Sequence, residues 1–188
     1  MAAIHETAYP RIKPSFSNKE LSEIFKPTEE ELCLLDANTK KTLPKPRLGF
    51  MIILKCYQYL GRVVAVNIDK SIKKYICNQL NIAQNTDLSS YDKSARKRHI
   101  KIIRKYLGIN PDKKQRRTLV KKAAFTAATT KENLADIVNY VIDELIKSRF
   151  ELPAYQKLVR VARAARTVVN NNSYEKIVDS LSEEKNNC

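Results

Sequence analysis

One run of residues limits the possible folds of this chain more than any other feature. Between Pro46 and Leu60 the sequence is apolar nearly all the way round a helical wheel, and Gly61 follows as a C-terminal cap. Such a helix needs cover on every side, so the run predicts a central, enclosed helix. Three glycines and few consecutive β-branched residues also favour helices over strands. The sequence therefore predicts an all-α fold.

Local signals predict where the other helices begin and end. Ser17 with Glu20, and Thr28 with Glu31, form capping-box patterns, while Asn110 before Pro111 is typical of an N-cap and first helical residue. Apolar periodicity then predicts helices at 18–25, 29–36, 46–60, 69–80, 94–107, 111–129, 131–149 and 154–170. The polar, turn-rich stretch 81–90 divides them. We expect two consecutive helical modules with helix-turn-helix-like hairpins, at residues 1–85 and 86–172, and the start of a linker at 173–188.

The positive charge is concentrated in one segment. Asp92 to Lys122 holds 13 basic and two acidic residues, so it carries +11 of the net charge of +15. Localised charge of one sign destabilises a fold by self-repulsion unless a polyanion faces it, and nucleic acid is the commonest such partner. The segment therefore predicts a nucleic-acid-binding surface.

Helical counting at 100 degrees per residue assigns faces to the basic side chains. In the helix at 94–107, His99 lies in the apolar stripe with Tyr106, which indicates a structural, hydrogen-bonded core histidine. The opposite face holds Lys97, Arg98, Lys101, Arg104 and Lys105. The next helix begins with two turns that precede its apolar stripe and should project beyond the core. Its cationic residues are Lys113, Lys114, Arg116, Arg117 and Lys121, and we expect a phosphate at this helix end.

The last two predicted helices form a hairpin with an arginine face. Arg160, Arg163 and Arg166 lie on one arc of the final helix, whereas the preceding helix turns Asp136 and Asp143 outward. A hairpin of this outline is shared by helix-turn-helix proteins and by many other helical pairs. The arginine arc adds three candidate DNA-binding residues.

Several function classes find no support in the sequence. The nucleotide-binding and hydrolase motifs G-x-x-x-x-G-K-[ST], G-x-G-x-x-G, H-E-x-x-H and G-x-S-x-G do not occur, so we expect no catalytic residue, no metal site and no cofactor in this chain. The cysteines are widely spaced, which indicates buried thiols and a free terminal Cys188 rather than a zinc site. No membrane-spanning run or signal-peptide pattern is present, so we expect a soluble, intracellular protein.

Five stretches of sequence resemble a known family. They are AAIHETAYPR, RLG followed by an apolar run and LK, YDKSARKRHIKIIRKYLG, TKENLADIVN and RFELPAYQKLVRVARAAR, in that order from residue 2 onward. Together they resemble the N-terminal region of the TnpA transposases of replicative, cointegrate-forming bacterial transposons, the Tn-three family.

The resemblance implies that the chain binds double-stranded DNA at the terminal inverted repeats of a transposon. It also implies a bacterial cytoplasmic, nucleoid-associated protein and a homodimeric full-length enzyme, a metal-dependent DDE-type transposase. The three-carboxylate catalytic core of such enzymes lies far downstream, so this chain is expected to be no enzyme by itself. The DNA-binding candidates that fall within matching words are Lys97, Arg98, Arg104, Arg163 and Arg47.

Two other interpretations of the sequence remain open. A non-enzymatic RNA-binding or nucleoid-type protein would recognise only shape and charge. A helical interaction module would use the basic face to bind an acidic protein. Both are compatible with the same charge distribution.

Overall fold

The computed structural model describes residues 3–63, 68–89 and 91–186, with the side chains up to residue 175. The fold is all-helical, with 67% of the chain in helix and no strand within the described residues, which confirms the predicted fold class. A short 3-10 helix, Ile4–Glu6, precedes eight α-helices. These are α1 Asn18–Phe25, α2 Glu29–Asn38, α3 Pro44–Leu60, α4 Lys70–Gln79, α5 Lys93–Tyr106, α6 Lys113–Ala128, α7 Leu134–Lys147 and α8 Tyr155–Asn186.

The early helix boundaries agree with the sequence prediction and the later ones differ. Both capping boxes are formed, with the Ser17 and Thr28 hydroxyls accepting from the amides of Glu20 and Glu31. The N-cap of α6 is Asp112 rather than Asn110, because Asp112 Oδ1 accepts from the amides of Lys114 and Gln115, whereas Asn110 Oδ1 accepts from the Asp112 amide ahead of the helix. The Asn110 backbone amide donates to the carbonyl of Arg149 at 2.8 Å. In α7 the cap is Asn133 rather than Thr130.

Helix α8 is much longer than predicted. It continues to Asn186, so residues 173–186 of the expected linker are helical. The sequence after Pro153 contains neither glycine nor proline, the two residues that most often end a helix.

The helices divide into two compact units that do not coincide with the predicted modules. Residues 10–109 form what we term the continuous unit, and residues 1–9 together with 110–188 form the split unit. The predicted division after residue 85 would separate α5 from α3, but these two helices contact each other. The chain therefore leaves the split unit after Tyr9 and returns to it at Asn110.

Helix α3 is the centre of the continuous unit, as its composition predicts. Every residue from Leu48 to Tyr57 is buried, and α1, α2, α4 and α5 all contact the helix. Burial of apolar surface stabilises a fold by roughly 25 cal/mol for each Å² removed from water, so an all-round apolar helix gains from cover on each side. The polar faces of the surrounding helices consequently turn to solvent.

One charged residue of α3 lies inside this core. The Lys55 ammonium is 3.0 Å from Glu31 Oε2, and the two residues are 5% and 2% exposed. Glu31 also accepts hydrogen bonds from the Gln58 amide at 2.7 Å and the Thr28 backbone amide at 2.8 Å. Loss of one partner from such a pair leaves a buried charge, which is strongly destabilising, so this network ties α2 to α3.

A buried aromatic cluster holds α5 against α3. His99 is fully buried, its Nδ1 is hydrogen-bonded to the Tyr91 hydroxyl, and its ring meets Phe50 edge-on at 5.1 Å. A Cβ at Gly49 would come within 2.7 Å of the Tyr91 ring, so glycine permits this close approach. The prediction of a hydrogen-bonded core histidine is confirmed, whereas Tyr106, predicted to face inward, is 37% exposed.

The split unit is built from α6, α7 and α8 with the N-terminal segment packed on them. Alanines at 123, 124 and 127 form most of the buried face of α6, which contacts both α7 and α8. Tyr9 is 5% exposed, and its hydroxyl donates to the Pro153 carbonyl at 2.8 Å. The Ala8 amide donates to Asn139 Oδ1 at 2.7 Å. Sequence analysis placed this segment in the first module, and long-range contacts place it here.

Replacing Tyr9 should destabilise the split unit in two separable steps. Tyr9→Phe removes one hydrogen bond and is expected to lower the free energy of unfolding by about 1 kcal/mol. Tyr9→Ala also removes the buried ring, for a total of about 3 kcal/mol. Urea denaturation measures both, and Tyr174→Ala, at a side chain that is 69% exposed, is the matched control. Equal midpoints for Tyr9→Ala and the control would contradict the docking of this segment.

His99 should make stability depend on pH. Burial, with a smaller contribution from Arg98, lowers the pKa of His99 to about 4, below the value of 6.5 that applies in the unfolded chain. Between these two values the unfolded chain binds a proton that the folded chain does not. The free energy of unfolding should therefore fall as pH decreases from 6.5 toward 4, by at most about 1.4 kcal/mol per pH unit. In denaturation experiments, the free energy of unfolding of His99→Gln should lack this dependence on pH. Parallel pH profiles for parent and variant would refute it.

Candidate nucleic-acid interface

Four cations of α5 form an exposed face on the continuous unit. The apolar side of the helix buries His99 and Ile103, which turns the opposite side outward. We define the α5 face as Lys97, Arg98, Lys101 and Lys105, all of them exposed. Within the described residues their side chains make no hydrogen bond or ion pair. Arg104, also predicted as a DNA-binding residue, is half-buried and engaged in a contact of its own.

Helix α6 carries a second exposed face with the same spacing, on the split unit. We define the α6 face as Lys113, Lys114, Lys121 and Arg117. The residues of each face follow the spacing i, i+1, i+4 and i+8, which confines four cations to an arc of about 100 degrees. The first buried residue of α6 is Val120, so the turns before it are largely exposed, as predicted, although Leu119 packs partly against the core. Arg116 is half-buried, and its guanidinium donates to the Glu151 carbonyl at 3.3 Å.

The expected phosphate position at the N-terminus of α6 is occupied by the chain itself. Asp112 Oδ1 accepts from the amides of Lys114 and Gln115 at 2.7 and 2.9 Å. The carboxylate satisfies the amides that a phosphate would use and complements the positive end of the helix dipole. With Asp112 rather than Asn110 as the cap, the amides of Lys114 and Gln115 are not available to a phosphate, and only the side chains at this helix end remain as candidate phosphate ligands.

Arg47 belongs to an internal ion pair rather than to an exposed face. Its guanidinium lies 2.6 Å from Asp36 Oδ1, and only 12% of its side chain is exposed. Lys41 contacts the other carboxylate oxygen at 3.1 Å. These hydrogen bonds, that of Arg47 first, lower the pKa of Asp36, so the carboxylate stays ionised and holds Arg47 in place.

The arginines of α8 differ in their surroundings. Arg160 and Arg163 are exposed, and Arg166 is half-buried. A cleft beside α8 brings Arg163 and Arg166 together with Thr167 and Asn170, which charge counting missed because both are uncharged. Their spacing from Arg163, at i+4 and i+7, was the available signal. The remaining lining residues are Glu6, Asn133 and Leu134.

Acidic side chains lie on a different helix of the split unit. Asp136 and Asp143 of α7 are exposed, in agreement with the expected acidic outer face. Glu144 is partly neutralised by Lys147, whose ammonium lies 2.9 Å away. The α6 face contains no acid, so a polyanion would meet attraction there and repulsion at α7.

A family model matches residues 1–165, which spans α1 to α7 and the first third of α8. The family is described as a domain of unknown function, DUF4158. The chain belongs to the DUF4158 family. No curated protein and no solved structure matches it.

The matched DUF4158 region contains both lysine-rich faces and the first two α8 arginines, while Arg166, Thr167 and Asn170 follow its end. Among the described residues of this DUF4158 chain, no group of three or more His, Cys, Asp or Glu residues could hold a metal ion. No described helix has the length and apolar character that crossing a membrane requires.

The thiols of the DUF4158 chain differ in accessibility. Cys56 and Cys77 are buried, and burial raises the pKa of Cys56 to about 12. Cys33, expected to be buried, is exposed, and Cys188 lies outside the described residues.

The cap of α6 gives a direct test of its observed start. Asp112→Ala removes the acceptor for two helix amides and should lower the free energy of unfolding by about 1 kcal/mol, whereas Asp112→Asn keeps an acceptor and should cost less. Glu132→Ala, at an exposed carboxylate outside a helix, is the control. Thermal denaturation measures all three, and equal losses for Asp112→Ala and Asp112→Asn would contradict the capping role.

Proposed function

We propose that the chain binds duplex DNA through the α5 face, the α6 face, and Arg160 and Arg163 of α8. The observation that carries the proposal is that these ten cations are exposed and that none forms a hydrogen bond or ion pair within the described residues. Other cations of the chain, such as Lys55 and Arg47, have acidic partners. The unpaired cations are therefore available to an external anion.

The spacing of the charges favours a polymer over a small anion. The four positive charges of each lysine-rich face extend over about 12 Å of helix. The first and last residues of a face are eight positions apart, and each position adds 1.5 Å along the helix axis. Duplex DNA carries one negative charge per 1.7 Å or so of its axis, and each phosphate neutralised by lysine or arginine releases condensed counterions. Faces of this length can contact several phosphates at once, whereas a single small anion would leave most of the charge unpaired.

Transposon ends are the DNA target that fits best. The DUF4158 family is known in transposase-like proteins. The sequence also resembles the end-binding region of TnpA transposases of the Tn-three family over residues 2–170. In this proposal the chain recognises terminal inverted repeats in the bacterial cytoplasm, within a longer homodimeric enzyme. The three catalytic carboxylates, which bind the metal ions, belong to the downstream region of that enzyme.

The composition of the lysine-rich faces also favours a second candidate, a nucleic-acid-binding protein without sequence preference. Lysine holds phosphate as a point charge, and six of the eight residues on the α5 and α6 faces are lysines. Such faces can bind RNA or any DNA duplex. Comparing the affinity for an inverted-repeat duplex with that for a scrambled duplex separates a sequence-specific protein from one without sequence preference.

The test is to measure binding to an inverted-repeat duplex, a scrambled duplex of equal length and a double-stranded RNA across a range of salt concentrations. We expect the inverted repeat to bind most tightly. Replacing Lys97, Lys101 and Lys105 by alanine, or Lys113, Lys114 and Arg117, should weaken binding to both DNA duplexes similarly. Each triple substitution should flatten the slope of log affinity against log salt by about 0.9 for each phosphate that the variant no longer neutralises.

The matched control removes the same charge elsewhere. Lys26, Lys40 and Lys74 are exposed lysines outside the two faces, and their triple alanine variant should keep most of the parent's salt slope. All substituted side chains are exposed, so folding should be retained in each variant. If the three triple variants lose affinity equally, net charge rather than the proposed faces determines binding. If no nucleic acid binds at moderate salt, the proposal is wrong.

A further inference from the structure

A continuous polar seam lies along the exposed side of α8. It consists of Gln156, Arg160, Arg163, Thr167 and Asn170, which we term the α8 seam. The successive spacings of four, three, four and three residues place all five on an arc of about 80 degrees. All five are exposed, and the buried residues Leu158, Ala162 and Ala165 lie on the other side of the helix. The seam is about 21 Å long at 1.5 Å per residue.

The chemistry of the α8 seam differs from that of the α5 and α6 faces. The seam contains no lysine and no acid, whereas lysine predominates on the other two faces. Arginine pairs bidentately with guanine, asparagine and glutamine pair with adenine, and a threonine methyl contacts the methyl of thymine. Each of the five side chains is therefore of a type that recognises base edges in the major groove, which is wide enough to admit an α-helix.

The contacts of the seam leave these groups available. Within the described part of the chain, the side chains of Gln156, Arg160, Arg163 and Asn170 make no hydrogen bond or ion pair. The Thr167 hydroxyl donates to the Arg163 carbonyl at 3.1 Å. That bond uses the hydroxyl proton and leaves the methyl group for an apolar contact. Arg163, Thr167 and Asn170 also line the cleft that contains Glu6 and the half-buried Arg166.

We propose that Arg163, Thr167 and Asn170 determine the DNA sequence preference of this chain by contacting base edges in the major groove. Arg163 pairs with guanine and Asn170 with adenine, and the Thr167 methyl packs against thymine. The lysine-rich faces supply affinity without sequence information. This inference rests on the proposed DNA binding, and it assigns the discrimination between base sequences to the α8 seam.

The experiment is selection of preferred sequences from a pool of duplexes with a randomised central region, carried out with the full chain and with single variants. The parent should yield a consensus that contains a guanine and an adenine about three base pairs apart, because Arg163 and Asn170 are separated by about 10.5 Å of helix. Asn170→Ala should lose the preference at the adenine position, and Arg163→Ala at the guanine position. Each loss should amount to roughly 5- to 150-fold in discrimination. Asn170→Ala should leave the affinity for a scrambled duplex unchanged, whereas Arg163→Ala, which removes a cation, should lower that affinity by less than it lowers the affinity for the consensus.

Asn170→Arg distinguishes base contact from a purely structural role, because only a residue that contacts a base can change which base is selected. An arginine at this position should change the selected base from adenine to guanine. Lys157→Ala is the matched control, because Lys157 is exposed on α8 about 100 degrees from the centre of the seam. The control should select the parent consensus. Circular dichroism checks that every variant keeps its helical content.

The outcomes separate this inference from the proposed function. If the parent binds duplex DNA but selects no consensus, or if the Asn170 and Arg163 variants select the parent consensus, base reading by the seam is wrong while DNA binding stands. If the parent retains no duplex from the pool at low salt, the proposed function fails and this inference fails with it.

Discussion

The enclosure of α3 is the constraint on which the arrangement of this chain depends. A helix that is apolar on all sides cannot lie at a surface without exposing a large apolar area, so four other helices are drawn around it. Helix α5 is one of them, and its buried contact runs through His99 and Phe50. Because the apolar side of α5 is committed to α3, its lysines can only face outward. The same commitment leaves α6, α7 and α8 to form a unit of their own, which the N-terminal segment completes.

Internal pairing separates the cations that maintain the fold from those that are free to bind. Lys55 and Arg47 each meet a carboxylate, and Arg116 meets a backbone carbonyl. A solvated cation without a partner costs little stability, since even a well-formed surface ion pair contributes only about 0 to 1 kcal/mol. The chain can therefore expose eight unpaired cations on two helices at a modest cost in self-repulsion. If carboxylates were paired with these cations as they are with Lys55 and Arg47, the α5 and α6 faces would be neutral.

Local patterns in the sequence were sufficient for part of the fold and part of the interface. The caps at Ser17 and Thr28, the enclosed α3 and the buried His99 depend on residues within a few positions of one another, and all were predicted correctly. Docking of Tyr9 against Pro153 joins residues 144 positions apart, which no local pattern reveals. The cap of α6 was misassigned because Asn110 and Asp112 are both good N-caps, and only the bonds from the Lys114 and Gln115 amides to Asp112 decide between them. In the candidate interface, charge counting identified the exposed lysines and missed Thr167 and Asn170 of the cleft beside α8, whose positions follow from helical register rather than charge.

The path of the chain sets an order of assembly during synthesis. Residues 3–9 are synthesised well before their binding site on α7 and the segment before α8. The continuous unit is complete in sequence at residue 109, so it can fold while α6 to α8 are still being translated. Once it has folded, the hundred residues between Tyr9 and Asn110 no longer behave as a flexible loop, and the entropic cost of bringing the two ends together falls. Tyr9 can therefore dock only after translation has passed Pro153, and this docking closes the split unit.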